Sequence, residues 1–132
     1  MKKILSVAAA ALISVAAIAQ PQVIAHRGYH ATKNSVRNSL SALVNAQDAG
    51  VYGSECDINL TKDNELVVVN HGMHPSNKAK VKADPQRSTL EKLLSIPYAN
   101  GEYICTIEEY LARAAKKPAT KLILEVKGQD SI

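Results

Sequence analysis

The chain has 132 residues and a formal net charge of +4, with 46% hydrophobic and 21% charged residues. The excess of 16 basic over 12 acidic side chains is too small to indicate a nucleic-acid-binding protein. The length allows one domain at most, and the apolar content is sufficient for a hydrophobic core.

The first 19 residues have the features of a secretory signal peptide. Lys2 and Lys3 precede an apolar run from residue 4 to residue 18, and Ala17-Ile18-Ala19 fits the small-residue cleavage pattern. A membrane anchor is the alternative, but the run is shorter than the roughly 20 residues that a span needs. We therefore predict no stable membrane span and an exported protein, periplasmic or secreted, with a mature part from Gln20 to Ile132 and a net charge of +2.

The mature part is predicted to alternate strands with helices, which is typical of an α/β parallel sheet. Capping boxes at 88–91 and 106–109 predict the starts of two helices, and Gly50 predicts the end of an earlier one. The predicted strands are 22–25, 54–61, 66–69 and 121–127. The first predicted helix begins at Asn38 or Ser39 and ends at about Ala49, the second is 88–94, and the third begins at Thr106.

The connection between residues 61 and 66 is too short for a parallel crossover, so these two strands form a hairpin. A two-residue loop at 63–64 would pair Cys56 with His71 and turn His71 away from the carboxylates. A three-residue loop would place His71 opposite Glu55 (loop 62–64) or opposite Asp57 (loop 63–65). Because Asn tolerates the left-handed region, we predict a three-residue loop with Asn64 at positive φ.

The strand YGSECDINL carries polar side chains on one face, namely Glu55, Asp57 and Asn59, while Cys56 and Ile58 lie on the other. Two carboxylates on one face repel each other unless a cation or a donor lies between them. Further polar residues are predicted at the carboxyl ends of neighbouring strands, the edge at which parallel α/β folds carry their sites. They are His26 and Arg27 on the first strand, His71 after the hairpin, and Glu125 and Lys127 on the last strand.

These residue types predict phosphoryl chemistry. The carboxylates of Glu55, Asp57 and Glu125 are hard oxygen ligands suited to Mg²⁺ or Ca²⁺. Arg27 and Lys127 are placed to bind an anion that bridges to the metal. His26 and His71 can exchange protons near neutral pH. No Gly-rich phosphate loop and no Gly-x-Ser-x-Gly motif is present in the sequence.

The segments VIAHRG, GSECDINLTKDNELVVVNH and LILEVK together resemble the glycerophosphodiester phosphodiesterase family. This resemblance implies a TIM (β/α)8 barrel and metal-dependent hydrolysis of small-molecule glycerophosphodiesters to glycerol 3-phosphate and an alcohol. It also implies metal ligands at Glu55, Asp57 and Glu125, and acid–base residues at His26 and His71. Arg27 is implied as a phosphate ligand, and Lys127 matches the Glu-x-Lys motif.

The chain departs from the family pattern in two motifs and in length. Val36-Arg37-Asn38 stands where the family often has Pro-Glu-Asn, and His71-Gly72 stands where it often has His-Asp. A TIM barrel needs roughly 250 residues. We therefore expect a partial barrel, the first three strand–helix units with the hairpin after the second strand, that is, the N-terminal portion of a truncated enzyme in residues 20–132.

Two other functions are compatible with the same residues. The chain could be an inactive, non-catalytic fragment that keeps an anion and metal site, or a related phosphodiesterase that acts on another lipid head group. Cys56 and Cys105 are predicted to be free, partly buried thiols, although an exported chain permits a disulfide.

Overall fold

A computed structural model describes residues 20–32, 34–70 and 83–128. The predicted signal peptide and His71 lie outside these residues. The described elements are β1 (Ile24–Ala25), α1 (Leu40–Asp48), β2 (Gly53–Leu60), β3 (Leu66–Val68), a 3-10 turn (Pro85–Arg87), α2 (Leu90–Leu94), β4 (Cys105–Thr106), α3 (Ile107–Ala114) and β5 (Lys121–Val126). None of the helices in the described ranges is long and apolar enough to cross a membrane.

Strand β2 is the centre of the sheet. Strand β5 pairs with it in parallel along one edge, from Gly53–Lys121 to Ile58–Val126. Two strands pair with the opposite edge of β2. Strand β1 pairs in parallel with the beginning of β2, and β3 pairs antiparallel with the end of β2. The parallel strands β1, β2 and β5, with α1 and α3 packed alongside, form the predicted portion of a (β/α)8 barrel.

The hairpin between β2 and β3 has the predicted three-residue loop. Leu60 pairs with Leu66, and the amide of Thr61 donates to the carbonyl of Glu65 (2.8 Å), which leaves residues 62–64 as the loop. Asn64 has φ 65°, as predicted for the last residue of a three-residue loop. The same register extends to Val69, whose amide donates to the Asp57 carbonyl (3.0 Å).

The helix ends follow local sequence signals. The Ser39 hydroxyl caps α1 by accepting from the amide of Ala42, and Gly50 ends the helix with φ 66°. Thr106 and Glu109 form the predicted capping box of α3. The box predicted at Ser88 was wrong by one residue, because the hydroxyl that caps α2 belongs to Thr89.

The apolar side chains form two clusters on opposite faces of β3. One lies between the sheet and helices α1 and α3, and it includes Leu43, Cys56, Ile58, Val68 and Tyr110. The other contains Val67 and Val69 together with residues from the segment 83–104, among them Leu93 and Tyr98. The 3-10 turn and β4 were not predicted from the sequence. Strand β4 pairs with β3 and so joins the end of this segment to the hairpin.

Candidate metal and anion site

The turn after β1 brings the His26-Arg27-Gly28 segment against both β2 and α1. Arg27 and Gly28 both have positive φ, 58° and 77°, and the amide of Gly28 donates to the carbonyls of Ala25 and Glu55. A Cβ atom on Gly28 would lie 2.6 Å from the Cβ of Ala42, so no other residue fits without moving α1. The glycine therefore lets the chain reverse tightly and leaves His26 and Arg27 beside Glu55 of β2.

The three predicted carboxylates are brought together by the register of β2 and β5. Asp57 pairs directly with Glu125, and Glu55 lies two residues earlier on the same face of β2. One oxygen from each of the three residues lies within 4.8 Å of the others. Oxygens on opposite sides of one Ca²⁺ are about 4.6–5.2 Å apart, twice a metal–oxygen distance of about 2.3–2.6 Å. The spacing therefore suits a single cation.

Asp57 is the most enclosed of the three carboxylates, with no exposed surface. Its Oδ2 accepts from Asn38 Nδ2 (2.8 Å) and lies 3.0 Å from Arg27 Nε, while its Oδ1 lies 2.7 Å from Lys127 Nζ. Burial opposes ionisation, but the contacts with Lys127 and Asn38 and the charge of Arg27 outweigh it and hold the pKa of Asp57 below its ordinary value. Asp57 is therefore a carboxylate at neutral pH.

Lys127 lies between the two facing carboxylates. Its Nζ is 2.7 Å from Asp57 and 2.6 Å from Glu125 Oε1, and its side chain is 18% exposed. Although burial lowers the pKa of Lys127, its hydrogen bonds to Asp57 and Glu125 raise it above the ordinary value. Glu125 itself is more open, with 54% of its side chain exposed, so the site faces solvent on this side.

The two carboxylate oxygens of Glu55 differ in their contacts. Its Oε2 accepts from the backbone amide of Arg27 (2.8 Å) and lies 4.0 Å from His26 Nε2. Its Oε1 is buried and has no hydrogen-bond partner among the described residues. A buried carboxylate oxygen without a donor is costly, and a cation bound at this point would satisfy it.

Asn59 completes the polar face of β2 and has a structural role. Its Nδ2 donates to the Val69 carbonyl (2.8 Å), and its Oδ1 accepts from Gln86 Nε2 (3.1 Å). Gln86 also donates to the carbonyl of Gly128 (2.9 Å), the residue after Lys127. The 3-10 turn thus ties the hairpin to the end of β5, next to the carboxylates.

Two residues that support the site, Asn38 and Gln86, were not predicted from the sequence as site residues. Asn38 had a local signal, since it immediately precedes the N-cap residue of α1 and matches the Asn of the Pro-Glu-Asn motif that the family often has. Gln86 had none, because its partners are 27 and 42 residues away in the chain. His71, the second predicted acid–base residue, lies outside the described residues.

The two cysteines are free and more deeply buried than predicted, with 0% and 2% of their surface exposed. Burial raises the pKa of Cys56 and of Cys105 to about 12, so neither thiol ionises near neutral pH. They belong to the apolar cluster on the other face of β2 and take no part in the site.

Comparison with known protein families gives a match over most of the chain. The profile of the glycerophosphoryl diester phosphodiesterase family matches residues 26–131. This range includes every predicted site residue, from His26 to Lys127. No curated protein matched the chain.

Several solved structures of phosphodiesterases have a fold similar to that of this chain. A glycerophosphodiester phosphodiesterase from Parabacteroides distasonis is 41% identical, with a TM-score of 0.73 over 83% of this chain and 44% of its own. An Oleispira antarctica phosphodiesterase, solved with the product sn-glycerol 3-phosphate, is 24% identical, with a TM-score of 0.70 over 81% of this chain and 44% of its own. A Thermotoga maritima glycerophosphodiester phosphodiesterase is 24% identical, with a TM-score of 0.66 over 83% and 45%. The chain thus spans less than half the length of these proteins.

Proposed function

The chain belongs to the glycerophosphoryl diester phosphodiesterase family, and we propose that the protein containing it hydrolyses glycerophosphodiesters to glycerol 3-phosphate and an alcohol. The observation that carries this proposal is the meeting of three carboxylates with a partly buried arginine and lysine on and just after neighbouring parallel strands. The product in the Oleispira antarctica structure supports the same small-molecule class here.

We propose that the reaction uses a divalent cation, Mg²⁺ or Ca²⁺, held by Glu55, Asp57 and Glu125. The donor set is entirely oxygen, which both ions prefer. Oε1 of Glu55 supports the assignment, because this buried atom has no hydrogen-bond partner in the part of the chain that the structure describes. When bound, the cation supplies a positive charge that stabilises the phosphoryl oxygens in the transition state.

The charge and exposure of the other side chains suggest their roles in phosphate binding and proton transfer. Arg27 and Lys127 are proposed to bind the phosphate, because both are cationic and both lie against Asp57 at the rim of the sheet. His26, with 70% of its side chain exposed, is proposed to move a proton at Nε2, either from the attacking group or to the leaving alkoxide. His71 is proposed, from the sequence alone, as the second acid–base residue.

A chelation experiment tests this function. In the protein expressed from its complete reading frame, we expect release of glycerol 3-phosphate from glycerophosphocholine to stop in excess chelator. Activity should return when Mg²⁺ or Ca²⁺ is added in excess, since the ligand oxygens of the site suit both ions. Full activity in excess chelator would contradict the metal site.

The same experiment separates the alternatives. A protein that binds Ca²⁺ but releases no glycerol 3-phosphate with any added metal would be a non-catalytic binding remnant. Hydrolysis of another lipid head group, with no turnover of glycerophosphocholine, would place the protein among related phosphodiesterases of different specificity.

Export is proposed from residues 1–19 alone, which have the basic start, apolar run and cleavage pattern of a signal peptide. Sequencing the N-terminus of the protein recovered outside the cytoplasm checks this proposal. A mature N-terminus at Gln20 is the expected result, and retention of Met1 would contradict it.

A further inference from the structure

Asn38 is a fully buried polar residue in an uncommon backbone conformation. It has no exposed surface, and its φ of 59° lies in the left-handed region. It ends the loop that leads from Arg27 to α1, directly before the N-cap residue Ser39. Asparagine tolerates this backbone better than most residues, but backbone tolerance alone does not explain a buried side-chain amide, which needs partners.

The partners of Asn38 all belong to the candidate site. Its Nδ2 donates to Asp57 Oδ2 (2.8 Å), and its Oδ1 accepts from the backbone amide of Asp57 (3.0 Å). Its own backbone amide donates to the carbonyl of Arg27 (3.0 Å). A single residue therefore holds both the main chain and the side chain of Asp57 and also the residue that forms an ion pair with it.

These contacts determine which way the Asp57 carboxylate faces. Oδ2 is held by Asn38 Nδ2 and lies against Arg27, so it points toward the loop. Oδ1 is left on the side of Lys127, whose ammonium also touches Glu125. A carboxylate free to rotate would spread its oxygens over several directions, at a cost in conformational entropy when a ligand binds.

We infer that Asn38 is a positioning residue, which orients Asp57 so that Oδ1 faces the space shared with Glu55 and Glu125. This inference rests on the proposed function, because it assigns Asn38 a role toward the cation of that site. The role belongs to the side-chain amide and is separate from the left-handed backbone that the same residue adopts.

Asn64 provides a matched control within the chain. It has nearly the same backbone conformation, with φ 65°, but lies in the β2–β3 loop. Glycine adopts positive φ without strain, so Asn38→Gly and Asn64→Gly each remove a side-chain amide and keep the backbone. Only the first removes a contact with Asp57.

The test is calorimetric titration of Ca²⁺ and Mg²⁺ into the purified protein from the complete reading frame, with urea unfolding measured in parallel. Loss of a residue that orients a metal ligand typically weakens metal binding by about 10- to 100-fold. We expect that change in Kd for Asn38→Gly, and less than about a twofold change for Asn64→Gly. Both variants should keep a cooperative unfolding transition.

Every other outcome overturns the inference. An unchanged Kd in Asn38→Gly, with lower stability, would make the role of Asn38 structural only, and loss of cooperative unfolding would lead to the same conclusion. Equal weakening in both glycine variants would point to a general effect of the substitution. If the unsubstituted protein binds neither ion, the proposed metal site fails, and the inference fails with it.

Discussion

The two faces of strand β2 are buried to the same degree by different physical means. On one face, Cys56 and Ile58 are 0% and 3% exposed and pack against α1 and α3. On the other, Asp57 and Asn59 are 0% and 1% exposed and are enclosed by specific donors and charges. Apolar packing is non-directional, whereas a buried carboxylate depends on the position of each partner. The two faces should therefore differ in the substitutions that they tolerate.

The largest difference is expected in activity. Asp57→Asn keeps the shape of the side chain but removes the charge that the proposed cation and Arg27 require. We expect kcat/KM for glycerophosphocholine to fall on the order of 10³-fold, equivalent to about 4 kcal/mol of transition-state stabilisation. Ile58→Val, one residue along on the other face, should leave kcat/KM nearly unchanged. Comparable losses in both variants would remove the functional distinction between the two faces.

A second effect is expected in the stability that the apolar face provides. Ile58→Ala leaves a cavity between the sheet and the helices and should lower the free energy of unfolding by about 2–5 kcal/mol. Ile58→Val, which removes one methylene, should cost about 0.5–1.5 kcal/mol. Urea unfolding followed by circular dichroism measures both values. A loss below 0.5 kcal/mol (roughly the least expected even for Ile58→Val) in Ile58→Ala would show that this face is not a packed core.

The smallest effect is a pH dependence that differs between the neighbouring residues Asp57 and Cys56. The pKa of Asp57 is lowered in the folded protein, so its contribution to stability is present above about pH 4 and is lost as the pH falls. The pKa of Cys56 is raised from 9.0 to about 12, mainly by burial and then by the charges of Glu55 and Asp57. Its contribution is therefore present below about pH 9 and is lost as the pH rises.

Urea unfolding in metal-free buffer at pH 3, 6, 8 and 10 measures both pH effects. Asp57→Asn should lose less stability than the unsubstituted protein between pH 6 and pH 3. Cys56→Ala should lose less between pH 8 and pH 10, by at most about 1.4 kcal/mol for each pH unit above 9. Parallel pH profiles for all three proteins would mean that neither group titrates differently on unfolding.

Much of the local structure was predictable because its signals lie close together in the chain. The two-residue period of β2 predicted which side chains share a face. The short connection between the strands, together with the tolerance of Asn64 for positive φ, predicted the three-residue loop and so the hairpin register. Thr106 and Glu109 predicted the start of α3. In α2 the prediction was one residue early, because Ser88 and Thr89 are both good caps and only the position of the helix chooses between them.

The sequence by itself determined the chemistry available at the site, since residue types and strand periodicity place cations and carboxylates at the ends of parallel strands. Only the tertiary structure decided how those groups are held. The pairing of Asp57 with Glu125 depends on the register of two strands about 70 residues apart, and the Asn38 contact depends on a left-handed turn packed against β2. Gln86 reaches Asn59 in β2 and Gly128 after β5 from a segment that is bound to the hairpin loop, where the amide of Lys62 donates to the Ser88 carbonyl. Such contacts leave no periodic trace in the sequence, because they join residues whose separation is set by the packing of the whole sheet.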